Sequence, residues 1–270
     1  MRRAVMLVVA PFAAVALGAC AINQQQEVQM GQQYSQQINQ ELPIVQDQEI
    51  NRYINVLGDS IARLTKRADL EWHFFVVDSK EVNAFAVPGG YVYVNRGLIE
   101  RADKLDELAG AIGHEIGHVV RRHTVKQMQQ QQKAGLGVQL GCILLRACDS
   151  QAAQAAINVG AGALFAKFSR QDETEADQEG FKNVVSAGIS PEGMVSLFQK
   201  LLEERKSRPA GVDAWFLTHP LEESRIADVQ GLINTLQPAQ LARLSTDSRA
   251  YQSFKARIMS LPPSPAVRSR

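Results

Sequence analysis

The segment His114-Glu115-Ile116-Gly117-His118 constrains this chain more than any other. On a helix, side chains four residues apart project from one face, so two imidazoles at this spacing can clamp a single Zn²⁺. Glu115 is turned by about 100° from His114, which lets its carboxylate reach a water at the metal without occupying a coordination position. The surrounding residues read as a helix with Asp103 as N-cap and Asp106 three positions on. Leu105, Leu108, Ala109, Ile112, Ile116, Val119 and Val120 form one apolar stripe at helical spacing, and the histidines fall on the opposite side. Gly110, Ala111, Gly113 and Gly117 lie around the histidine face, where small residues leave room for a metal and a close neighbouring helix. Interior glycines each cost about 1 kcal/mol relative to alanine, so three of them need a local reason.

A catalytic zinc takes three protein ligands and keeps one position open. His123 is near in sequence, but continuing the helix places it by the apolar stripe, about 140–180° from the ligand histidines. A metzincin would also need glycine and histidine where Arg121 and Thr124 stand. The better source is Glu173-Thr174-Glu175-Ala176-Asp177, on a helix read from Ser169 as N-cap to a stop at Gly188. Glu173 and Asp177 share a face with the small residues Ala176 and Gly180, whereas Glu175 points about 200° from Glu173 and should face solvent. Glu173 is therefore the expected third ligand. Asp177 is the expected acceptor for the outer N–H of a ligand histidine. Two neutral imidazoles and one carboxylate leave the zinc unit at +1, still able to acidify a water.

Residues 1–19 read as a processing signal: Arg2 and Arg3, an apolar run from Val5 to Leu17, then Gly18-Ala19 before Cys20. A cysteine directly after small residues resembles a bacterial lipobox, which makes Cys20 the lipid-bearing first residue of the mature chain. Ala21 in the next position resembles signals for the outer membrane. The expectation is a periplasmic protein held to the membrane through Cys20. Removing the leader leaves about 250 residues, enough for a substantial core, and losing Arg2 and Arg3 takes the formal charge from +1 to −1. That balance excludes a nucleic-acid surface. Cys142 and Cys148 remain as candidates for a disulfide; six helical residues rise about 9 Å, so a bridge requires a bend between them, and two free thiols are the alternative.

Along the chain, the glutamine-rich residues 20–45 read as a tether and the start of a first helix. Residues 46–260 read as the folded domain, and 261–270, rich in Pro, Ser and Arg, as a disordered tail. Residues 47–64 carry apolar side chains at helical spacing. Residues 72–77 and 91–94 are β-prone, with Asn83-Ala84-Phe85-Ala86 and the turn Pro88-Gly89-Gly90 between them, which makes one small sheet beside the metal helix. The helix of His118 is expected to run on through Val125. The nearly uncharged stretch 134–166 is too weakly apolar for a membrane span; it reads as a buried helical hairpin or as a flap touching membrane or shielding substrate. Ser190-Pro191 starts a scaffold helix, Thr218-His219-Pro220 marks a turn, and a last helix is expected over 222–236.

Together, His114 to His118, Ser169-Arg170-x-x-Glu173-x-x-x-Asp177 and Thr218-His219-Pro220 resemble metallopeptidase family forty-eight, the family of HtpX, mitochondrial Oma and the CAAX prenyl proteases. The resemblance spans about residues 30–235 and is strongest to the periplasmic lipoprotein members, the LoiP and BepA kind. The absence of a following tetratricopeptide array favours the single-domain form. It implies an α+β, mostly helical gluzincin: an H-E-x-x-H helix, a second Glu-bearing helix and a small sheet with an exposed edge. It implies one Zn²⁺ per chain held by His114, His118 and Glu173, with Glu115 as general base and Asp177 in support. His219 is either a fourth ligand that holds the enzyme latent or, with Arg225, a stabiliser of the oxyanion. Asn83, Ala84, Phe85 and Ala86 match the edge where an extended substrate adds as a strand. Unfolded or misfolded envelope proteins are the expected substrates, and outer-membrane assembly machinery is a candidate partner. The rival expectation is a chaperone-like assembly lipoprotein whose zinc is latent or structural.

Overall fold

A capped helix opens the folded region of the computed structural model, which describes residues 22–131, 167–207, 212–220 and 223–265. The leader, Cys20, Cys142, Cys148 and the stretch 134–166 lie outside these residues. Helix α1 (Gln24–Glu41) starts at Asn23, whose side chain and that of Gln26 form a reciprocal capping box. It fills most of the stretch in which a tether and the start of a first helix are expected. The stripe α1 buries is Glu27, Gly31, Ser35 and Ile38, at helical spacing but almost without apolar side chains, so hydrophobic periodicity does not register it. Glu27 pairs with Arg67 and Arg122, and Ser35 accepts a hydrogen bond from the Tyr93 hydroxyl at 2.9 Å. A Cβ on Gly31 would lie 1.8 Å from the Pro88 carbonyl oxygen, so only glycine allows this approach.

Helix α2 (Gln48–Ala62) follows, capped by Asp47, and leads to strands β1 (His73–Val77), β2 (Ala84–Val87) and β3 (Tyr91–Asn95). The sheet order is β1-β3-β2, with β1 parallel and β2 antiparallel to β3. Gly89 and Gly90, with φ of 84° and 102°, supply the left-handed backbone of the β2–β3 turn. Side chains alternate between two cores. Phe74, Val76, Ala84, Ala86, Val92 and Val94 face the main core, while Val77, Phe85, Val87 and Tyr93 face a smaller one beneath α1. The outer side of β1 is occupied by residues 43–45, where Val45 N–H donates to the Val76 carbonyl at 2.9 Å and Asp78 N–H to that of Pro43 at 2.8 Å. Strand β2 is the other edge, and no strand pairs with its outer side among the described residues.

Helix α3 (Arg96–Arg101) leads into α4 (Leu105–Arg121), which carries the two histidines. The N-cap is Lys104, not Asp103; Asp103 is instead drawn to Lys200 and Lys255, and its N–H donates to the Glu107 carboxylate at 2.6 Å. The apolar stripe from Leu105 to Val119 joins the main core. The helix does not run on through Val125. It stops at Arg122, whose φ of 58° is left-handed, and a new helical segment spans 123–131.

Helix α5 (Arg170–Ser186) is capped by Ser169 and ends before Gly188, at φ of 75°, as the sequence predicts. It lies against α4 at close range: a Cβ on Gly117 would stand 2.6 Å from the Ala176 carbonyl oxygen, and one on Gly180 would stand 3.0 Å from the His114 nitrogen. Helices α6 (Glu192–Ser207), α7 (Asp213–Thr218), α8 (Glu223–Ile233), α9 (Pro238–Leu241) and α10 (Arg249–Met259) complete the order. Leu261 and Pro262, expected in a disordered tail, are bound: their carbonyls accept from Arg96 at 3.3 and 2.6 Å, and Ser264 donates to Asp78 at 2.7 Å. Among the described residues no helix is long and apolar enough to cross a membrane.

Asp106, in the first turn of α4, is 4% exposed and one carboxylate oxygen has no hydrogen-bond partner. Burial, reinforced by neighbouring Glu107, pushes its pKa up to about 6. The folded protein therefore holds this proton to higher pH than the unfolded chain does. The resulting stabilisation is present below about pH 4 and is lost as pH rises through about 6, a difference of about 3 kcal/mol. Asp106→Asn should remove this component, and urea unfolding of both proteins at pH 4.5 and 7.5 measures it.

Candidate metal centre

Four side chains from three segments converge between α4 and α5: His114, His118, Glu173 and His219. One ligating atom of each lies within 4.8 Å of all the others, and all four residues are buried. The two histidines point their Nε2 atoms at one another, 3.0 Å apart. Glu173 Oε1 lies 3.3 Å from His118 Nε2 and 3.2 Å from His219 Nδ1, and His219 Nδ1 lies 3.4 Å from His114 Nε2. Donors of a tetrahedral zinc at 2.0–2.1 Å stand about 3.3 Å from each other, so the spacing fits such an ion. The donor set of imidazoles and a carboxylate also suits a transition metal. The group can hold a metal ion.

The outer nitrogens of the two helix histidines are also occupied. His114 Nδ1 meets Asp177 Oδ1 at 2.9 Å. His118 Nδ1 meets His123 Nδ1 at 3.0 Å, and His123 Nε2 faces Glu175 at 3.4 Å. The break at Arg122 produces this contact, because it swings His123 away from the direction a continuous helix would give it. Glu175 is a quarter exposed and turned to His123 rather than standing free in solvent. Sequence reasoning placed both residues elsewhere, and nothing in the local sequence marks Arg122 as left-handed. Phe168, also not foreseen, stacks on His118 with ring centroids 4.0 Å apart, and its N–H donates to the Thr218 carbonyl. Trp215 packs beside His114 and His219, at 6.3 and 5.0 Å between centroids.

Arg225 lies behind the carboxylates. Its Nε and Nη2 donate to Asp177 at 2.7 Å each, and its Nη1 donates to Glu173 and to the Pro220 carbonyl. These bonds direct the guanidinium to the two acids, so its reading as an oxyanion donor gives way to one of holding Glu173 and Asp177 in place. Burial alone would raise the Glu173 carboxyl, but His219, His118 and Arg225 outweigh it and hold the group well below the usual range. Burial likewise opposes ionisation of Asp177, and Arg225 with His114 keeps its pKa low. Burial pulls the His118 pKa down, which favours the neutral imidazole that binds a cation.

Glu115 differs from the other acids. Both its oxygens are buried without a hydrogen-bond partner, and His219 Nε2, itself without a hydrogen bond, stands 3.4 Å away. Burial pushes this carboxyl up. A buried carboxyl with no donor is costly, and such groups concentrate where chemistry needs a base of raised affinity for protons. At the sheet, Asn95 N–H donates to the Asn83 carbonyl at 2.9 Å. By the antiparallel pattern this register turns the backbone groups of Ala84 and Ala86 to the unpaired edge, whereas Phe85 pairs inward with Tyr93; all four residues of β2 are buried.

The model of peptidase family M48 matches residues 47–233, and the chain belongs to that family. It is similar to the beta-barrel assembly-enhancing protease of Escherichia coli (strain K12), with 35% identity over 79% of this chain and 45% of the relative. It is 30% identical to the metalloprotease LoiP of the same organism over 58% of this chain and 61% of the relative. The mitochondrial metalloendopeptidase OMA1 of Schizosaccharomyces pombe is 28% identical over 75% of this chain and 59% of the relative. The chain spans less than half the length of the beta-barrel assembly-enhancing protease.

Removing Arg225 leaves the buried Glu173 and Asp177 carboxylates without their cation. Arg225→Met should therefore lower stability by about 3–5 kcal/mol, whereas Arg225→Lys, with the charge but not the fork, should lose less. Chemical unfolding of the three proteins checks the order.

Proposed function

We propose that this chain is a zinc-dependent endopeptidase of the bacterial envelope, anchored by lipid at Cys20 in the outer membrane, which hydrolyses misfolded or unassembled envelope proteins. The observation that carries the reading is Glu115: a buried carboxyl without a hydrogen-bond donor, beside a cluster of four metal-capable donors. His114, His118 and Glu173 would hold the ion, with Asp177 and Arg225 fixing His114 and Glu173 from behind. Zinc bound there supplies Lewis acidity toward water and a carbonyl oxygen.

The residues of the chain supply the proton path and the alignment. Glu115 accepts the proton of the attacking water, and its raised proton affinity suits it to hand that proton to the departing amine nitrogen. The unpaired edge of β2 supports an extended substrate, whose backbone would pair with the outward groups of Ala84 and Ala86, on either side of Phe85 and following Asn83. A substrate that must present a free strand is an unfolded or unassembled protein. That requirement, the leader sequence and the likeness to the beta-barrel assembly-enhancing protease support a role in envelope quality control, with outer-membrane assembly machinery as a partner.

One observation favours a second reading, a latent or structural site: His219 supplies the fourth donor and leaves the cluster buried. The Glu115→Gln variant separates the two. Under the peptidase reading, cleavage of unfolded casein should fall by about 10²–10⁴-fold while zinc stays at one per chain. Undiminished cleavage, or a native chain that cleaves nothing and still protects clients, would sink the peptidase reading.

A further inference from the structure

His123 takes no part in the donor cluster, yet it is fully buried and its Nδ1 stands 3.0 Å from the Nδ1 of His118. The two rings meet nearly edge to face, with centroids 5.0 Å apart at 77°, and Phe168 covers the other side of His118. Two facing ring nitrogens at this distance share one proton. An imidazole that offers Nε2 to a cation carries its proton on Nδ1, so His118 is the donor and His123 Nδ1 the acceptor. The His123 proton is then on Nε2, which faces the carboxylates of Glu175 at 3.4 Å and Asp172 at 3.6 Å. Arg121 and Lys126 stand 4.0 and 3.9 Å from Glu175 and favour its ionised form.

Resting on the metal-site reading above, we propose that His123 is a positioning residue: it fixes the tautomer and ring orientation of His118 through a chain from the Glu175 and Asp172 carboxylates to the metal. The arrangement parallels the contact of Asp177 with His114 but inserts a second imidazole between acid and ligand. A direct carboxylate at this place would have to come from α5 across the width of a ring. The left-handed turn at Arg122 brings in a side chain of that width instead.

The test uses the full-length protein and zinc itself, with affinity read by competition against a chromophoric chelator. His123→Leu should weaken zinc binding by about 10–100-fold. His123→Gln, whose amide keeps an acceptor toward His118 and a donor toward Glu175, should recover most of that loss. Because leucine at a buried polar position can unsettle the fold, urea unfolding of the metal-free variants is measured beside it. Glu175→Ala probes the same chain from its partly exposed end and should weaken zinc binding with little change in stability. Nitrogen NMR should find the proton of His118 on Nδ1 and that of His123 on Nε2, and the reverse pattern would overturn the proposal. Zinc affinity unchanged in both His123→Leu and Glu175→Ala would overturn it while leaving the zinc site standing. A native chain that binds no zinc would overturn the site itself, before any variant is compared.

Discussion

The contact between α4 and α5 is the constraint on which the site depends. Gly113 and Gly117 on one helix face Ala176 and Gly180 on the other; a methyl group on Gly117 would collide with the Ala176 carbonyl oxygen at 2.6 Å, and one on Gly113 or Gly180 would crowd its neighbours at 3.0 Å. Glutamate and aspartate are short side chains. They reach the histidine rings only because the two backbones approach this closely, so Glu173 meets His118 Nε2 at 3.3 Å and Asp177 meets His114 Nδ1 at 2.9 Å. A helix interior that carries three glycines gives up about 1 kcal/mol at each relative to alanine. The burial of Leu108, Ile112 and Ile116 on the opposite face offsets that loss.

Close packing creates an electrostatic problem that the fold solves unevenly. Glu173 and Asp177 are buried acids, and Arg225 answers both with a guanidinium that lies 5% exposed over the Phe198 ring. Glu115 receives no such partner. A protein selected only for stability would pair it or replace it. Two acids bonded to a guanidinium and a third with no hydrogen-bond donor, all within one cluster, set Glu115 apart from Glu173 and Asp177.

Much of this was legible in the sequence, because the informative residues sit on regular helices. His114, His118, Glu173 and Asp177 are related by the 3.6-residue period, so their faces follow from spacing, and Ser169 and Gly188 bound α5 by ordinary capping chemistry. The sheet follows from the β-prone runs at 72–77 and 91–94 and the turn Pro88-Gly89-Gly90, whereas the edge at β2 is implied only by the family resemblance. The failures have one physical cause: they occur where a polar interaction overrides a hydrophobic pattern. Helix α1 is invisible to periodicity because Glu27 and Ser35 are buried through Arg67, Arg122 and Tyr93. Asp103 fails as a cap because Lys200 and Lys255 claim it. Arg225 enters the sequence reading only through the family resemblance, and its position among acids appears only in three dimensions.

Arg122 draws these strands together. A left-handed conformation at a residue with a Cβ costs about 1–2 kcal/mol, so something must hold it. Its guanidinium does so, with Nε donating to Glu27 at 2.8 Å and Nη2 to the Ile22 carbonyl at 2.6 Å. Glu27 is itself buried and shared with Arg67, whose Nη1 reaches the Val119 carbonyl near the end of α4. The polar stripe that hides α1 from a hydropathy reading is therefore the same one that stops the metal helix where it does. Because the helix stops there, the next residue, His123, turns back to His118. Continued for one more turn, α4 would carry His123 away from the site, and the outer nitrogen of His118 would lose its only partner among the described residues.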